Sequence, residues 1–284
     1  MSSILYKKDG RIARISLNRP ESLNAINEKM PGELEEAVKR AEGDSSIHVM
    51  ILSGEGKAFC SGYDLKHFAK DTANDLAIQK MPWDPIKDYQ FMWQNTQHFM
   101  SLWRATKPVI CKIHGCALAG GSDLALCADI VIMAEDAEIG YMPARVWGTP
   151  TTAMWVQRIG PERAKRMLFT GDKIRGKEAA EIGLVLEAVS IKNLDKRVEN
   201  LAKRISTVPI NQLAMQKITI NQSMESNGLM QMQRISTFFD GMSRHSPEGL
   251  AFKHRTEQVG WKQAVSERDE GSFDWTKNKP YNSD

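Results

Sequence analysis

The sequence has few cysteines, almost no excess charge and no long apolar run. Its four cysteines in 284 residues have no paired spacing, which favours buried free thiols over a disulfide framework or a metal cluster. With 38 basic and 35 acidic residues the formal net charge is only +3, so there is no basic footprint for a nucleic-acid partner. The cysteine pattern therefore excludes a fold held together by disulfide bonds. The small net charge gives no electrostatic reason to expect binding of DNA or RNA.

A candidate membrane-spanning segment is also lacking. The most apolar stretch, residues 113–134, is interrupted by His114, Asp123 and Asp129, whereas a spanning helix needs about 20 mostly apolar residues. The first eight residues lack the apolar centre of a secretory signal, and the last three match no retrieval or peroxisomal tail. We therefore expect a cytoplasmic protein with no membrane partner.

The composition is that of an ordinary folded protein, with 42% hydrophobic and 26% charged residues. Strand-like and helix-like patterns alternate over the first two thirds of the chain, and the pattern from Pro161 onward is mostly helical. This order predicts an α/β core with an appended helical subdomain. We place the core in residues 1–200 and the C-terminal helical region in residues 201–284.

Residues 70–88 interrupt this alternation. They are polar and contain Pro82 and Pro85, which predicts a mobile surface excursion between two regular elements. A helix rich in aromatic residues is expected to begin beyond it. The excursion would shape the mouth of a pocket, but no chemistry follows from it.

Two glycine-containing turns, residues 59–65 and residues 114–123, each join a buried strand to a helix. Small residues at positions 119–121 let a ligand approach the backbone, and the amides that open a helix have no intrahelical acceptor. Such amides can hold an anionic oxygen, and an oxyanion hole for an acyl group needs two converging donors. The alternative for each turn is a packing role.

Taken in order, these turns and their neighbours resemble the enoyl-CoA hydratase/isomerase (crotonase) superfamily. The resemblance begins at residues 15–20 and 23–25, runs through both turns, and continues in residues 127–130, 168–172 and 179–185. It implies an α/β fold built as a spiral of β-β-α units, with a C-terminal helical region that packs in a homotrimer or a homohexamer. It also implies an acyl-CoA substrate, of which coenzyme A is a part, and no separate cofactor or metal.

The same resemblance assigns roles to the two turns. The backbone N–H groups of Tyr63 and Gly120 match the family's oxyanion hole, which stabilises a thioester enolate. Each donor in such a hole is worth roughly 2.7–4 kcal/mol. Gly62 and Gly121 adjoin these two residues and are expected in the substrate-binding surface.

The expected coenzyme A contacts lie near the first turn. Ala25, Asp64 and Leu65 match the family segments along the coenzyme A moiety and the acyl entrance. Asp64 has an alternative role as the cap of its own helix start. Lys66 follows and would either meet a coenzyme A phosphate or remain solvated.

The acid–base positions depart from the family pattern. Family hydratases use two glutamates; the first matches Asp123, which is one methylene shorter, and the second matches Ala144, which cannot exchange a proton. A shift of register brings Met142 or Pro143 to the second position, again without an acid. We expect Asp123 to be catalytic, the alternative being a structural carboxylate at a helix start. Burial would have to raise its pKa for it to act as a base near neutral pH.

An unusual group of residues surrounds the second position. There Tyr141 would donate a hydrogen bond, and Arg145 would pair with an acidic group of the substrate. Trp147 would form either a pocket wall or part of the core. We expect all three to line the acyl pocket together with Ala144.

The sequence therefore predicts an enzyme acting on acyl-CoA thioesters, most simply an enoyl-CoA hydratase or isomerase, that stabilises an enolate between two backbone amides. Thioester hydrolysis, decarboxylation and carbon–carbon bond hydrolysis within the same superfamily stay open, as does a non-catalytic acyl-CoA binder. RNA binding, which occurs in some relatives, has no basic stripe to support it here.

Overall fold

The computed structural model describes residues 2–65, 79 and 82–277 of the chain. Its centre is a six-stranded sheet in the order β1-β2-β3-β4-β6-β9, and a three-stranded sheet, β5-β7-β8, lies beside it. The strands are β1 (Ile4–Asp9), β2 (Ile12–Leu17), β3 (Val49–Gly54), β4 (Val109–Ile113), β5 (Cys116–Leu118), β6 (Ile130–Ala134), β7 (Glu138–Gly140), β8 (Lys173–Arg175) and β9 (Glu187–Val189).

The large sheet begins with a hairpin and continues as a parallel sheet. Strands β1 and β2 pair antiparallel from Ile4 opposite Leu17 to Asp9 opposite Ile12. Gly10 has a φ of 57° in the two-residue turn, a conformation that glycine adopts without strain. Every later pair in this sheet is parallel, and β3 is almost entirely buried, as expected for a strand covered on both faces.

Helices cover this sheet, and beyond β9 the described chain has only helices as regular elements, the last of which ends at Glu270. They are α1 (Met30–Gly43), α2 (Pro85–Arg104), α3 (Gly120–Leu126), α4 (Met154–Thr170), α5 (Gly176–Glu181), α6 (Ile191–Ile205), α7 (Ile210–Ser226), α8 (Leu229–His245), α9 (Pro247–Val259) and α10 (Trp261–Glu270). This order confirms the predicted α/β class with an appended helical region. The division at residue 200 stays a prediction; α6 crosses that position while packing on β3, β4, β6 and β9.

The expected surface excursion ends earlier than predicted. Residues 66–78, 80 and 81 lie outside the described residues, so most of that prediction is not addressed. Its last part is wrong, because α2 already begins at Pro85. Proline has no amide hydrogen to lose at the first position of a helix, and the Asp84 side chain caps the start by accepting from the amides of Ile86 and Lys87. Asp88, one turn further, is only 1% exposed.

Other expectations concern thiols, metals and membranes. Cys60, Cys111 and Cys127 are buried and Cys116 is half-buried, all four as free thiols, as predicted. Within residues 2–65, 79 and 82–277, no group of three or more His, Cys, Asp or Glu side chains is placed to hold a metal ion. In the same part of the chain, no helix combines the length and the apolar character needed to cross a membrane.

A buried ion pair docks the C-terminal helices on the sheet. Lys217 of α7 lies 2.7 Å from the Asp129 carboxylate and also donates to the carbonyl oxygens of Leu102 and Lys107. Asp129 in turn accepts a hydrogen bond from the backbone amide of Val109 on β4. Burial lowers the pKa of Lys217 and raises that of Asp129, and the opposite charge of the partner counteracts each of these shifts.

Replacing Lys217 should therefore test this anchor. We expect Lys217→Met to lower the free energy of unfolding by about 3–5 kcal/mol, because it leaves the Asp129 carboxylate buried without its cation. Urea denaturation at neutral pH measures the change. The matched control is Lys39→Met, a 69% exposed lysine, for which a change within about 0.5 kcal/mol is expected. Equal effects of the two substitutions would contradict the anchoring role.

Candidate active site

A cavity of about 540 Å³ opens between the two glycine turns and the C-terminal helices. Its size is typical of a site for a small organic ligand. Five parts of the described chain contribute to its lining: residues 21–25, 61–65, 118–123, 141–151 and 240–269, joined by Phe91 and Met92 of α2. The site thus combines the α/β core with the C-terminal helices of the same chain.

The two glycine turns lie side by side. The amide of Cys60 donates to the carbonyl of Cys116 at 2.9 Å, and the amide of Leu118 donates back to the carbonyl of Cys60 at 3.0 Å. A second bridge pairs Ile26 with Tyr63. These backbone bonds bring the residues after each strand, Tyr63 and the start of α3, to the same wall of the cavity.

Close contact between the turns requires glycine. A Cβ atom on Gly120 would lie 2.8 Å from two ring carbons of Tyr63, and one on Gly121 would lie 2.6 Å from the carbonyl oxygen of Cys60. Ala119, just before α3, has a φ of 50°, which is uncommon for a residue with a side chain. Strained backbone of this kind concentrates at functional sites, and here it sets the direction in which α3 leaves the turn.

Asp123 lies in the first turn of α3 and is only 3% exposed. Its carboxylate accepts a hydrogen bond from the Thr152 hydroxyl at 3.0 Å and another from the backbone amide of Thr151. Burial raises the pKa of Asp123 to about 8, and nearby Asp240 adds to this, against the two hydrogen bonds. A carboxyl group whose pKa lies near neutrality can both release and return a proton, which is the property expected of an acid–base group.

The segment that holds Asp123 is itself fixed by α8. Thr149 donates through its hydroxyl to the carbonyl of Ser236 at 2.8 Å, and the Gln233 amide donates to the carbonyl of Thr152 at 3.0 Å. The position of Thr152, the hydrogen-bond partner of Asp123, therefore depends on a residue of α8 that is 81 residues further along the chain.

A buried ionic group on α8 was not predicted from the sequence. Arg244 forms ion pairs with Asp240, one turn before it, and with Asp88 of α2. Although burial opposes its charge, these two carboxylates raise the pKa of Arg244 above its ordinary value, and burial raises that of Asp88 to about 6. Asp240 also accepts from the amide of Thr149 at 3.0 Å. Asp240 and Arg244 line the cavity.

Most of the residues expected at the site do lie there. The cavity lining includes Ala25, Tyr63, Asp64, Leu65, Gly120, Asp123, Tyr141 and Trp147. The Asp64 carboxylate pairs with the Arg19 guanidinium at 2.8 Å. Gly62 and Gly121 lie behind the lining, where they allow the turns to approach. Lys66 is outside the described residues.

Arg145 and Ala144 are placed differently from the expectation. Within the described part of the chain neither belongs to the cavity lining, which is formed there by Met142 and Pro143. The Arg145 guanidinium instead donates to two backbone carbonyl oxygens, that of Arg268 at 2.6 Å and that of Thr170 at 2.7 Å. It joins the ends of two helices, and because carbonyl acceptors have no sequence signature, this role was not predictable.

Tyr141 and Trp147 line the cavity while serving the fold as well. The Tyr141 hydroxyl, expected to donate a hydrogen bond, donates to the backbone carbonyl of Thr149 at 2.8 Å. Trp147 has a φ of 88° and its ring centroid is 5.1 Å from that of Phe252 on α9. The two alternatives for Trp147 are therefore both realised, since it is a cavity wall and part of a small second core with Val146, Phe252 and Ala264.

Known proteins resemble this chain in sequence and in fold. The family model for enoyl-CoA hydratase/isomerase matches residues 7–264. A solved structure of an enoyl-CoA hydratase from Mycobacterium smegmatis has a TM-score of 0.89 and 44% sequence identity, covering 98% of this chain and 97% of that chain. The 1,2-epoxyphenylacetyl-CoA isomerase of Escherichia coli (strain K12) is 30% identical over 268 residues, which are 88% of this chain and 95% of that protein. The predicted resemblance is confirmed, and the chain belongs to the enoyl-CoA hydratase/isomerase family, with the crotonase fold.

Proposed function

We propose that this enzyme moves the double bond of an enoyl-CoA thioester, with Asp123 as the proton carrier. The observation that carries the proposal is one buried carboxyl group with a pKa of about 8 beside the paired turns of Tyr63 and Gly120. At the positions that match the family's second acid, the cavity is lined by Met142 and Pro143, neither of which can activate water.

The proposed reaction needs only one carboxyl group. The Asp123 carboxylate takes a proton from C2 of a 3-enoyl-CoA, and the electron pair passes into the thioester to give a dienolate. The backbone amides of Tyr63 and Gly120 stabilise the enolate oxygen, each by roughly 2.7–4 kcal/mol. The Asp123 carboxyl group then returns the proton to C4, which gives the 2-enoyl-CoA and restores the carboxylate.

Other groups of the cavity fit this assignment. Asp240 is held in an ion pair with Arg244 and is not needed as a second proton carrier. Ala25, Asp64 and Leu65, at the first turn, would lie along the coenzyme A moiety, and no separate cofactor enters the scheme. The E. coli relative is also named an isomerase of a coenzyme A thioester, although its named substrate is an epoxide.

Hydration is the second candidate. It is favoured by the M. smegmatis protein, which is 44% identical to this chain and is described as an enoyl-CoA hydratase. In that reaction Asp123 would have to serve both the attacking water and the carbon that receives the proton. The hydrolase, decarboxylase and binder alternatives have no specific observation in their favour.

We also propose a homotrimer or homohexamer that assembles through the C-terminal helices. Exposed apolar side chains are concentrated on α7 and α8: Met215, Ile218, Ile220, Ile235, Phe238, Phe239 and Met242. A surface patch of this kind marks a contact with another chain in many proteins. The cytoplasmic location and the absence of a nucleic-acid partner stay predictions.

Replacing Asp123 with asparagine tests its role in proton transfer with little change in the shape of the side chain. Asp123→Asn keeps the acceptor for Thr152 but cannot carry the proton, so we expect kcat for conversion of a 3-enoyl-CoA to fall by about 10²–10⁴-fold. The assay follows the absorbance of the conjugated thioester that forms. Unchanged turnover would contradict the assigned role.

The same variant should be more stable than the wild type. The pKa of Asp123 is raised from 3.8 to about 8 in the folded chain, so the wild type loses stability as the pH rises from about 4 to about 8. Asparagine removes this loss, which is on the order of a few kcal/mol at neutral pH. Urea denaturation of both proteins across this range measures it, and an inactive but destabilised variant would point to misfolding instead.

The pH dependence of isomerisation follows from the same group. Because the carboxylate is the reactive form, kcat/KM should rise about tenfold per pH unit below pH 8 and level off above it. Initial rates with a 3-enoyl-CoA, measured from about pH 5.5 to about pH 9.5 in steps of about one pH unit, test this expectation. A profile already flat at pH 6 would show that Asp123 is ionised there or is not the base.

A charge placed among the exposed apolar side chains of α7 and α8 should disrupt the proposed oligomer. Ile220 of α7 is 67% exposed, and Ile220→Asp would bury a carboxylate in the proposed interface. Light scattering should give three or six times the chain mass for the wild type and a smaller value for the variant. Leu186→Asp, at another exposed apolar position, is the control and should leave the mass unchanged. A monomeric wild type would overturn this proposal.

A further inference from the structure

The ion pair on α8 carries no proton in the proposed reaction, yet it forms part of the cavity surface. Asp240 is 3% exposed and Arg244 is 8% exposed, and both belong to the cavity lining. Asp88, the other partner of Arg244, does not belong to it within the described residues. A bound acyl group would therefore meet one carboxylate and one guanidinium from this group.

Asp240 can accept further hydrogen bonds. A carboxylate offers about four acceptor positions. Among the described residues, its carboxylate receives the amide hydrogen of Thr149 and the guanidinium of Arg244. An occupant of the cavity that covers Asp240 removes water from the remaining positions, and leaving a buried acceptor unsatisfied is unfavourable.

The charged side chains around Asp240 limit the kind of substrate group that can bind beside it. Among the residues that the structure describes, Arg244 pairs with two carboxylates, so these three side chains together carry one excess negative charge. An anionic acyl group would meet that excess, and a cationic one would meet Arg244 on the same wall. A plain hydrocarbon chain would displace water from Asp240 without replacing the hydrogen bonds that the water made. A neutral hydrogen-bond donor avoids all three penalties.

We propose that the acyl groups this enzyme selects carry a hydroxyl group that donates a hydrogen bond to Asp240. This inference rests on the proposed function in one respect only, namely that the cavity holds the acyl part of a coenzyme A thioester. Asp240 is then a specificity-determining residue, and Arg244 with Thr149 keeps its carboxylate in place.

Binding measurements test this without requiring turnover. Saturated acyl-CoAs of short to medium chain length are compared, by calorimetry on the full chain, with the same acyl-CoAs bearing a terminal hydroxyl or a terminal carboxylate. At the length that reaches Asp240, we expect the hydroxyl compound to bind about tenfold tighter than the hydrocarbon. The carboxylate compound should bind more weakly than the hydroxyl compound.

Three variants assign the preference to a residue. Asp240→Leu should reduce it to less than about twofold, and Asp240→Asn, which keeps the shape but removes the charge, should reduce it by about threefold or more. Asp88→Asn is the matched control, because Asp88 pairs with the same guanidinium away from the cavity lining. It should leave the preference unchanged. If Asp240→Leu does not fold, comparison of Asp240→Asn with Asp88→Asn still tests whether Asp240 causes the hydroxyl preference.

Each outcome is informative. Equal affinities at every length, tightest binding of the carboxylate compound, or a preference that survives in the Asp240 variants would overturn the inference. Hydroxyl preference without isomerisation of any enoyl-CoA would reject the proposed reaction and leave the inference standing. Isomerisation without hydroxyl preference would reject the inference alone, and failure to bind any acyl-CoA would reject both.

Discussion

The direct backbone pairing of the two glycine turns is the constraint on which the rest of the site depends. Cys60 exchanges hydrogen bonds with residues 116 and 118, and at Gly121 there is no space for even one methyl group against the Cys60 carbonyl. Helix α3 must therefore begin where it does. Gly120 and Asp123 then line one cavity because they lie in the same helical turn.

The environment of Asp123 is supplied by distant parts of the chain. Burial raises the pKa of this carboxyl group, whereas the hydrogen bond from Thr152 lowers it toward the neutral range. Thr152 is held by Gln233 of α8, and α7 is anchored to the sheet by Lys217. The helices beyond the α/β core therefore determine the chemistry as well as the proposed assembly.

The features that could be predicted from the sequence are those that depend on residues close together along the chain. The alternation of strands and helices and the two glycine turns follow from short patterns, and the family resemblance implied the position of Asp123. The group of Asp88, Asp240 and Arg244 could not be predicted, because Asp88 and Arg244 are 156 residues apart and an Asp–Arg pair one turn apart on a helix usually faces solvent. The expectation for Arg145 differed for a related reason: its partners are carbonyl oxygens, which every residue has.

Exchange of the hydrogens at C2 of a saturated acyl-CoA in deuterated water tests the central claim most directly. Enolate formation between the turns needs no double bond, so exchange isolates the step assigned to Asp123, Tyr63 and Gly120. Mass spectrometry of the recovered thioester should show deuterium at C2 with the wild-type protein and much slower incorporation with Asp123→Asn. Tight binding of the thioester with no exchange in the wild type would contradict the account.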